Sequence, residues 1–397
     1  MSQPSENQEA IWCDLNDAIP LVYFDNTRAI LRRARRYLQT SCVGGISKSA
    51  GRPINTTNSV LNMMKGALVS NEQSGGNLPP KRPINLEINV APYPTPVPAP
   101  PPLPAAPEDG RTSKQMTLAE AIERYVPDGV ESLALGGMHL QNNPMALVRE
   151  LIRQKKRINS LITSPAASLS ADLLIGAALV EEVITSYFGF EHLGLAPAYR
   201  RFCQEGRLKV HELDELTLLL ALRAGAAGQP FAALPPSIAL SDVVTATPHF
   251  YTPVQDPFTG KTVLAAPPLR PKVALVVCQQ ADKRGNAIFK GSTFTDREMI
   301  LAAETTILQV EQIIPTSQLT RNPMPVTVPG YLVKAVVPAP FSCHPTACHR
   351  FYNYDEAHLK EYLELATTAE GFEAYLQKYV LNQGEVEYLG KTSLTRG

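Results

Sequence analysis

Two short segments carry residue types whose order points to chemistry at the end of a strand. Residues 131–138, Glu131-Ser132-Leu133-Ala134-Leu135-Gly136-Gly137-Met138, form an apolar run that stops at two glycines. Glycine has no Cβ and tolerates φ > 0, so the backbone at Gly136 and Gly137 can pass close to a ligand. Residues 279–286, Gln279-Gln280-Ala281-Asp282-Lys283-Arg284-Gly285-Asn286, follow a second apolar run, Val273–Cys278. In an open α/β sheet, ligands bind just beyond the carboxyl ends of the strands. A glycine pair after a strand is also what an ordinary turn looks like, and alone it decides nothing. Asp282, Gly285 and Asn286 suit a tight turn, a structural role; Gln279 and Gln280 are candidates for a polar contact to substrate.

Three further clusters bear reactive groups. Glu212-Leu213-Asp214-Glu215 ends an apparent strand, Leu208–His211, and precedes an apolar helical run, Leu216–Leu222. A carboxylate at such a junction is stabilised by the helix N-terminus and is ordinarily a cap. As a general base near neutral pH, Glu215 would need burial to raise its pKa. Capping, substrate orientation and base catalysis all stay open for it. Ser164 and Ser168 follow the apolar run Ile158–Ile162; their hydroxyls can donate to a carboxylate or carbonyl, or serve turns and caps. Cys343, His344, Cys348 and His349 place four possible N/S ligands within seven residues. Their spacing does not match the usual structural zinc sites and no second cluster accompanies them, so no metal is expected.

The elements that must hold these residues follow from apolar periodicity. Ala119–Tyr125 and Pro144–Gln154 have helical spacing, with Asn143 the expected cap and Pro144 the first helical residue. Leu133–Leu135, Ile158–Ile162, Val183–Tyr187, Val273–Val277, Thr306–Val310 and Leu332–Val337 read as short buried strands. Strands separated by helix-length segments predict an α/β fold: an open, largely parallel sheet with helices on both faces.

The chain divides near residue 113. Residues 79–107 contain twelve prolines, which predicts an extended, semi-rigid linker over 79–113. Residues 1–78 are an unassigned, mostly disordered extension by composition, with a basic amphipathic helix at Thr27–Leu38. The catalytic-type domain is expected over 114–397. Lys plus Arg and Asp plus Glu both number 37, for a formal charge of zero, which argues against a nucleic-acid partner. No apolar stretch reaches the ~20 residues of a membrane helix, so no membrane partner is expected. The N-terminus lacks a secretory layout, and six scattered cysteines do not form a disulfide framework. A cytoplasmic location is the expectation.

From Met116 to Leu389 the chain resembles the α subunits of family I CoA-transferases, of the glutaconate CoA-transferase type. The resemblance runs through Met116-Thr117-Leu118-Ala119-Glu120-Ala121, Val126-Pro127-Asp128-Gly129, Leu135-Gly136-Gly137 and Asp172-Leu173-Leu174-Ile175-Gly176. It continues in Leu222-Arg223-Ala224-Gly225-Ala226-Ala227-Gly228-Gln229-Pro230-Phe231, Ala281-Asp282, Gly285-Asn286, His344-Pro345-Thr346, Cys348, and Tyr352 with Tyr354-Asp355. The order holds throughout. The resemblance implies the fold of a CoA-transferase half and a CoA thioester as substrate, with no bound cofactor. It implies that the nucleophilic glutamate, which carries the glutamyl-CoA intermediate, belongs to a partner β subunit in a hetero-oligomer. Gly136, Gly137 and Met138 match the loop that approaches the thioester; Ser164 and Ser168 sit where the family has a loop beside the acyl group. Members commonly continue past the glycines with an aromatic and then a basic residue, where this chain has Met138-His139. That change bears on how a second carboxylate would be bound, with His139 as a substitute cation. In ring-opening hydrolases of similar sequence, a matching Glu-x-Asp-Glu ends in a glutamate thought to act as base, which corresponds to Glu215. Three functions are carried forward: CoA transfer, CoA-thioester or ring-opening hydrolysis through Glu215, and a non-catalytic interaction role.

Overall fold

The computed structural model describes residues 113–321 and 326–392. The extension at 1–78, its helix at Thr27–Leu38, and all of the 79–113 linker but Ser113 lie outside these residues. The first helix among the described residues, α1 (Leu118–Tyr125), begins at a reciprocal cap. The Thr117 hydroxyl accepts from the Glu120 amide, and the Glu120 carboxylate accepts from the Thr117 amide. β1 (Val130–Leu135), α2 (Met145–Arg153), β2 (Ile158–Ile162), β3 (Ala166–Ala167), α3 (Leu169–Gly176) and β4 (Val180–Thr185) follow. Next come β5 (Tyr187–Phe188), α4 (Pro197–Gln204), β6 (Lys209–Glu212), α5 (Glu215–Ala226), β7 (Ala232–Leu234), β8 (Thr252–Gln255) and β9 (Thr262–Ala266). The remainder comprises β10 (Val273–Ala281), β11 (Ala287–Ile288), α6 (Asp296–Ala302), β12 (Thr305–Ile313), β13 (Ala335–Pro338), α7 (Glu356–Leu365), α8 (Ala369–Leu376) and α9 (Glu385–Gly390).

The main sheet runs β13-β12-β10-β1-β2-β4-β6, every one of these pairs parallel, with β11 antiparallel on β10. Alternate residues of its strands feed two cores. Leu133, Leu135, Leu161, Val183 and Ile307 pack on one face with α2, α3, α7 and α8. Ala134, Ile162, Ile184, Val276 and Leu308 pack on the other, with α5, α6 and an antiparallel ribbon, β7-β9-β8. Burial of both faces is why these strands read as nearly unbroken apolar runs.

The sequence expectation of a parallel α/β sheet holds, and several details differ. The strand expected at Val183–Tyr187 is Val180–Thr185, and Tyr187–Phe188 leaves the sheet to pair with Ala166–Ala167. The strand expected at Leu332–Val337 starts at Ala335, because Gly330–Leu332 forms a single 3₁₀ turn whose Gly330 amide donates to Asn286 Oδ1 at 2.9 Å. Asn143 is not the cap of α2. Pro144 holds that position without a side-chain bond, and Asn143 Nδ2 donates instead to the carbonyls of His139 and Gln141. The ribbon β7-β9-β8 lies in a segment the periodicity left blank. Among the described residues no helix is long and apolar enough to cross a membrane.

Candidate active site

β1 stops at Leu135, in the middle of the sheet, and the glycine pair carries its backbone over the edge. The Gly136 amide still donates to Leu275 O of β10, at 2.9 Å. Gly137 then turns away at φ +83°, and its amide donates to Asp296 Oδ1 at 2.8 Å. Both positions need glycine for different reasons. A Cβ on Gly136 would lie 2.8 Å from Asp296 Oδ1, and one on Gly137 would lie 2.5 Å from Asn142 O, in addition to its unfavourable φ. The amides of both glycines are thus engaged within the chain, so neither points free toward a thioester in this conformation.

The loop that follows is tied down from three sides. Met138 and Gln141 exchange backbone bonds of 3.0 Å around a turn, with His139 at φ 50°. The Ser168 hydroxyl donates to His139 O, and Ser170 Oγ donates to Asn143 Oδ1 at 2.6 Å. Asn142 Oδ1 accepts from Gln279 Nε2 and from the His349 amide, both at 3.2 Å. Gln279, buried in β10, also accepts the Lys290 amide at 2.9 Å. Ser164 is buried, with its hydroxyl on Ala166 O at 3.2 Å. Gln280 pairs across the ladder with Gln312 at 2.6 Å. Ser168 and Gln279 therefore hold the loop directly, while Ser164 is spent on its own turn and Gln280 on the β10-β12 ladder. Around it Gln141 and Tyr187 are exposed and Met138 and His139 half-buried, with His139 against the Glu191 carboxylate and its ring centroid 5.8 Å from that of Tyr187.

Glu215 stands at the same edge but not at the same place. Its strand, β6, is separated from β1 by β2 and β4, a lateral distance of about 14 Å at ordinary strand spacing. The cap of α5 is Asp214, not Glu215: Asp214 Oδ1 accepts the Thr217 amide at 2.9 Å and Oδ2 accepts from Tyr251 OH at 3.0 Å. Glu215 is the first helical residue and is exposed, so the chain itself supplies no burial that would make it a base. Beside it a polar chain runs from Glu182 Oε2 to His211 Nε2 at 3.1 Å, and from His211 Nδ1 to His249 Nε2 at 2.8 Å.

Two other sequence features resolve into structural roles. Asp282 closes its turn by accepting the amides of Arg284 and Asn286 at 2.9 and 3.0 Å, with Gly285 at φ +90°. Of the Cys343–His349 set, the fold brings Cys343 and Cys348 together and turns His344 elsewhere. His344 places its two ring nitrogens on Tyr388 OH at 2.7 Å and Asp355 Oδ2 at 3.1 Å. The Cys343 and Cys348 sulfurs meet Glu311 in the interior, where that carboxylate already accepts from Tyr352 OH and from the Phe341 amide at 2.7 Å. Asp172, at the head of the Asp172–Gly176 motif, anchors α4 by accepting the amides of Ala198 and Tyr199 and the hydroxyl of Tyr362. Its burial raises its pKa to about 6.

The residue that sequence reasoning missed is Asp296. It is fully buried at the start of α6. An acidic residue in a helix's first turn reads as an ordinary complement to the helix dipole, and nothing local tells that it reaches the β1 loop, 159 positions away.

The model of the coenzyme A transferase family matches residues 115–339. The chain belongs to the coenzyme A transferase family. It is 32% identical over 301 residues to the A subunit of glutaconate CoA-transferase from Acidaminococcus fermentans, spanning 72% of this chain and 93% of that one. The crystal structure of the glutaconate coenzyme A-transferase of that organism superposes with a TM-score of 0.66, at 30% identity, over 72% of this chain and 94% of that one. The cholesterol ring-cleaving hydrolase IpdA subunit of Rhodococcus jostii is 30% identical over 295 residues, 70% of this chain and 95% of its own length. An uncharacterized Archaeoglobus fulgidus protein is 35% identical over 280 residues, and there the match spans 70% of this chain and 61% of the other. The chain is an enzyme subunit of the CoA-transferase type.

Proposed function

We propose that this chain is the α-type subunit of a heteromeric CoA-transferase, which moves CoA between an acyl-CoA and a free carboxylic acid. The observation that carries the reading is the braced glycine turn at the carboxyl end of the central strand β1, in a chain whose match spans 93% of one subunit of the glutaconate enzyme. A transferase of this kind needs a carboxylate nucleophile that forms an anhydride and then a thioester. Beside the glycine pair, Asp296 is bonded to Gly137 and Glu191 faces His139, while the exposed Glu215 stands three strands away at the β6 junction. The nucleophile is therefore assigned to a partner β subunit docked over Met138, His139 and Tyr187, where it forms the glutamyl-CoA intermediate. Gly136, Gly137 and Met138 line the CoA side of the shared site, and no bound cofactor takes part. The complex works in the cytoplasm, and residues 1–113 are an appendage to the catalytic domain at 114–397.

The test is co-expression with a candidate β chain, followed by CoA exchange between acyl-CoA and a panel of acids. Activity is expected from the heteromer and not from either chain alone. Borohydride reduction after incubation with acyl-CoA should modify a glutamate of the partner; modification of a peptide of this chain would overturn the assignment. A second reading is hydrolysis, favoured by the exposed Glu215 at the same sheet edge and by the similarity to the ring-cleaving IpdA hydrolase. It predicts water-dependent product formation that needs no acceptor acid.

A further inference from the structure

The carboxyl group of Asp296 is wholly buried; Oδ1 accepts the Gly137 amide at 2.8 Å, and Oδ2 has no hydrogen-bond partner. A buried carboxyl with an unpaired oxygen is costly, and leucine or methionine would fill the volume without that cost. The group also restricts its neighbour, since any side chain on Gly136 would collide with it. We infer that Asp296 is a positioning residue, which fixes the Gly136–Gly137 peptide with its amide turned inward and its carbonyl turned outward. The inference rests on the glycine pair being part of the site proposed above.

The geometry follows from the planarity of the trans peptide, in which N–H and C=O point in opposite directions. With the Gly137 N–H on Asp296, the Gly136 carbonyl faces away from it. With both glycine amides engaged within the chain, this peptide presents an acceptor rather than an oxyanion donor. Glycine on both sides of this peptide leaves it otherwise free to flip, so a dedicated acceptor is what selects one orientation. Burial raises the Asp296 pKa to about 7, with Glu298 adding to the effect and the Gly137 bond opposing it. That shift accords with a group held in place despite its desolvation.

The experiment compares wild type, Asp296→Ala and Asp296→Asn as full chains, free and in the heteromer. Hydrogen exchange at the Gly137 amide, followed by NMR on ¹⁵N-glycine-labelled chain, is the first readout. Exchange should be at least about tenfold faster in D296A and close to wild type in D296N, whose amide oxygen still accepts. In the heteromer, D296A should lower kcat by about ten- to hundredfold with KM within threefold, and D296N should recover most of the loss. Where the alanine cavity prevents folding, Asp296→Leu keeps the volume and removes the acceptor. Unchanged Gly137 exchange in D296A or D296L would overturn the inference. So would equal kcat losses in the alanine and asparagine variants, which would mark a packing role. A wild-type heteromer without CoA transfer but with the expected exchange pattern would sink the functional reading and leave the positioning role standing.

Discussion

The middle and one end of a single sheet edge are built on opposite principles. At β1 and β10, buried groups brace the backbone: Asp296 holds Gly137, Gln279 and Asn142 join two loops, and Ser168 and Ser170 tie the loop to the start of α3. At β4 and β6 the polar groups run out to the surface: Glu215 is exposed, and the chain from Glu182 through the buried His211 ends at the exposed His249. The first region spends its hydrogen bonds on fixing a backbone shape. The second leaves charge available and shape unfinished. A site shared between subunits fits that division, since the rigid side can be preorganised within one chain while the open side acquires its burial from a partner.

The sharpest way to break the contrast is to put a side chain into the rigid middle region. Gly137→Ala introduces a Cβ 2.5 Å from a backbone carbonyl at a residue with φ +83°. Strain of this kind and overpacking together should cost about 2–5 kcal/mol. For a domain of this size the melting temperature should fall by about 5–15 °C, as calorimetry would show. A loss under two degrees would mean the loop yields and is not braced as described.

The next effect is a pH dependence in the same region. Asp296 has a folded pKa of about 7, against about 3.9 for an unfolded aspartate. The folded state therefore binds the extra proton between these values, and the stability this group contributes is lost as pH rises from about 4 to about 7. D296N has no such titration. The melting temperature of wild type relative to D296N should accordingly decline across that window and level off above it, measured by scanning fluorimetry in matched salt. Taking the difference removes the same-direction contribution of Asp172 and the opposite one of His358, whose pKa burial lowers to about 3. A flat difference would show that Asp296 does not titrate in this range.

At the open end the expected effects on folding are smaller. Asp214→Ala removes the α5 cap and the acceptor of Tyr251 OH, worth about 1–2 kcal/mol. Chemical denaturation should detect it. A loss as large as that of Gly137→Ala would erase the distinction between the two regions.

What the sequence disclosed follows the same line. Ile158–Ile162 was readable to the residue because both its neighbours are parallel strands and its flanks are polar. β10 and β12 run longer than their apolar cores. Gln279 in β10 and Glu311 in β12 continue them, and such buried polar residues break the apolar signal while partners elsewhere in the chain satisfy them. The glycine pair was legible as a backbone feature. Its brace was not, because an aspartate at a helix start carries no mark of a contact made in space. Capping at the β6–α5 junction was visible as a type of event; that Asp214 performs it depends on which residue takes the extended backbone before the helix, a one-residue distinction that propensity does not resolve.

Glu215→Gln should have the smallest effect on folding and the largest consequence for the choice between reactions. The side chain is exposed at the first helical position, so its neutralisation removes little beyond a favourable dipole contact, and the melting temperature should stay within about two degrees. If a partner's glutamate carries the acyl and CoA groups, the heteromer's transfer rate should stay within about tenfold of wild type. If instead a partner covers this edge and Glu215 becomes a desolvated base that activates water, hydrolysis should fall by about a hundredfold or more. Measuring both activities of the same preparation separates the cases, because a general loss of assembly would lower the two together. A selective loss of hydrolysis would place the chemistry at the open end of the edge. Unchanged hydrolysis alongside intact transfer would leave Glu215 a surface residue, and the partner's carboxylate as the reacting group.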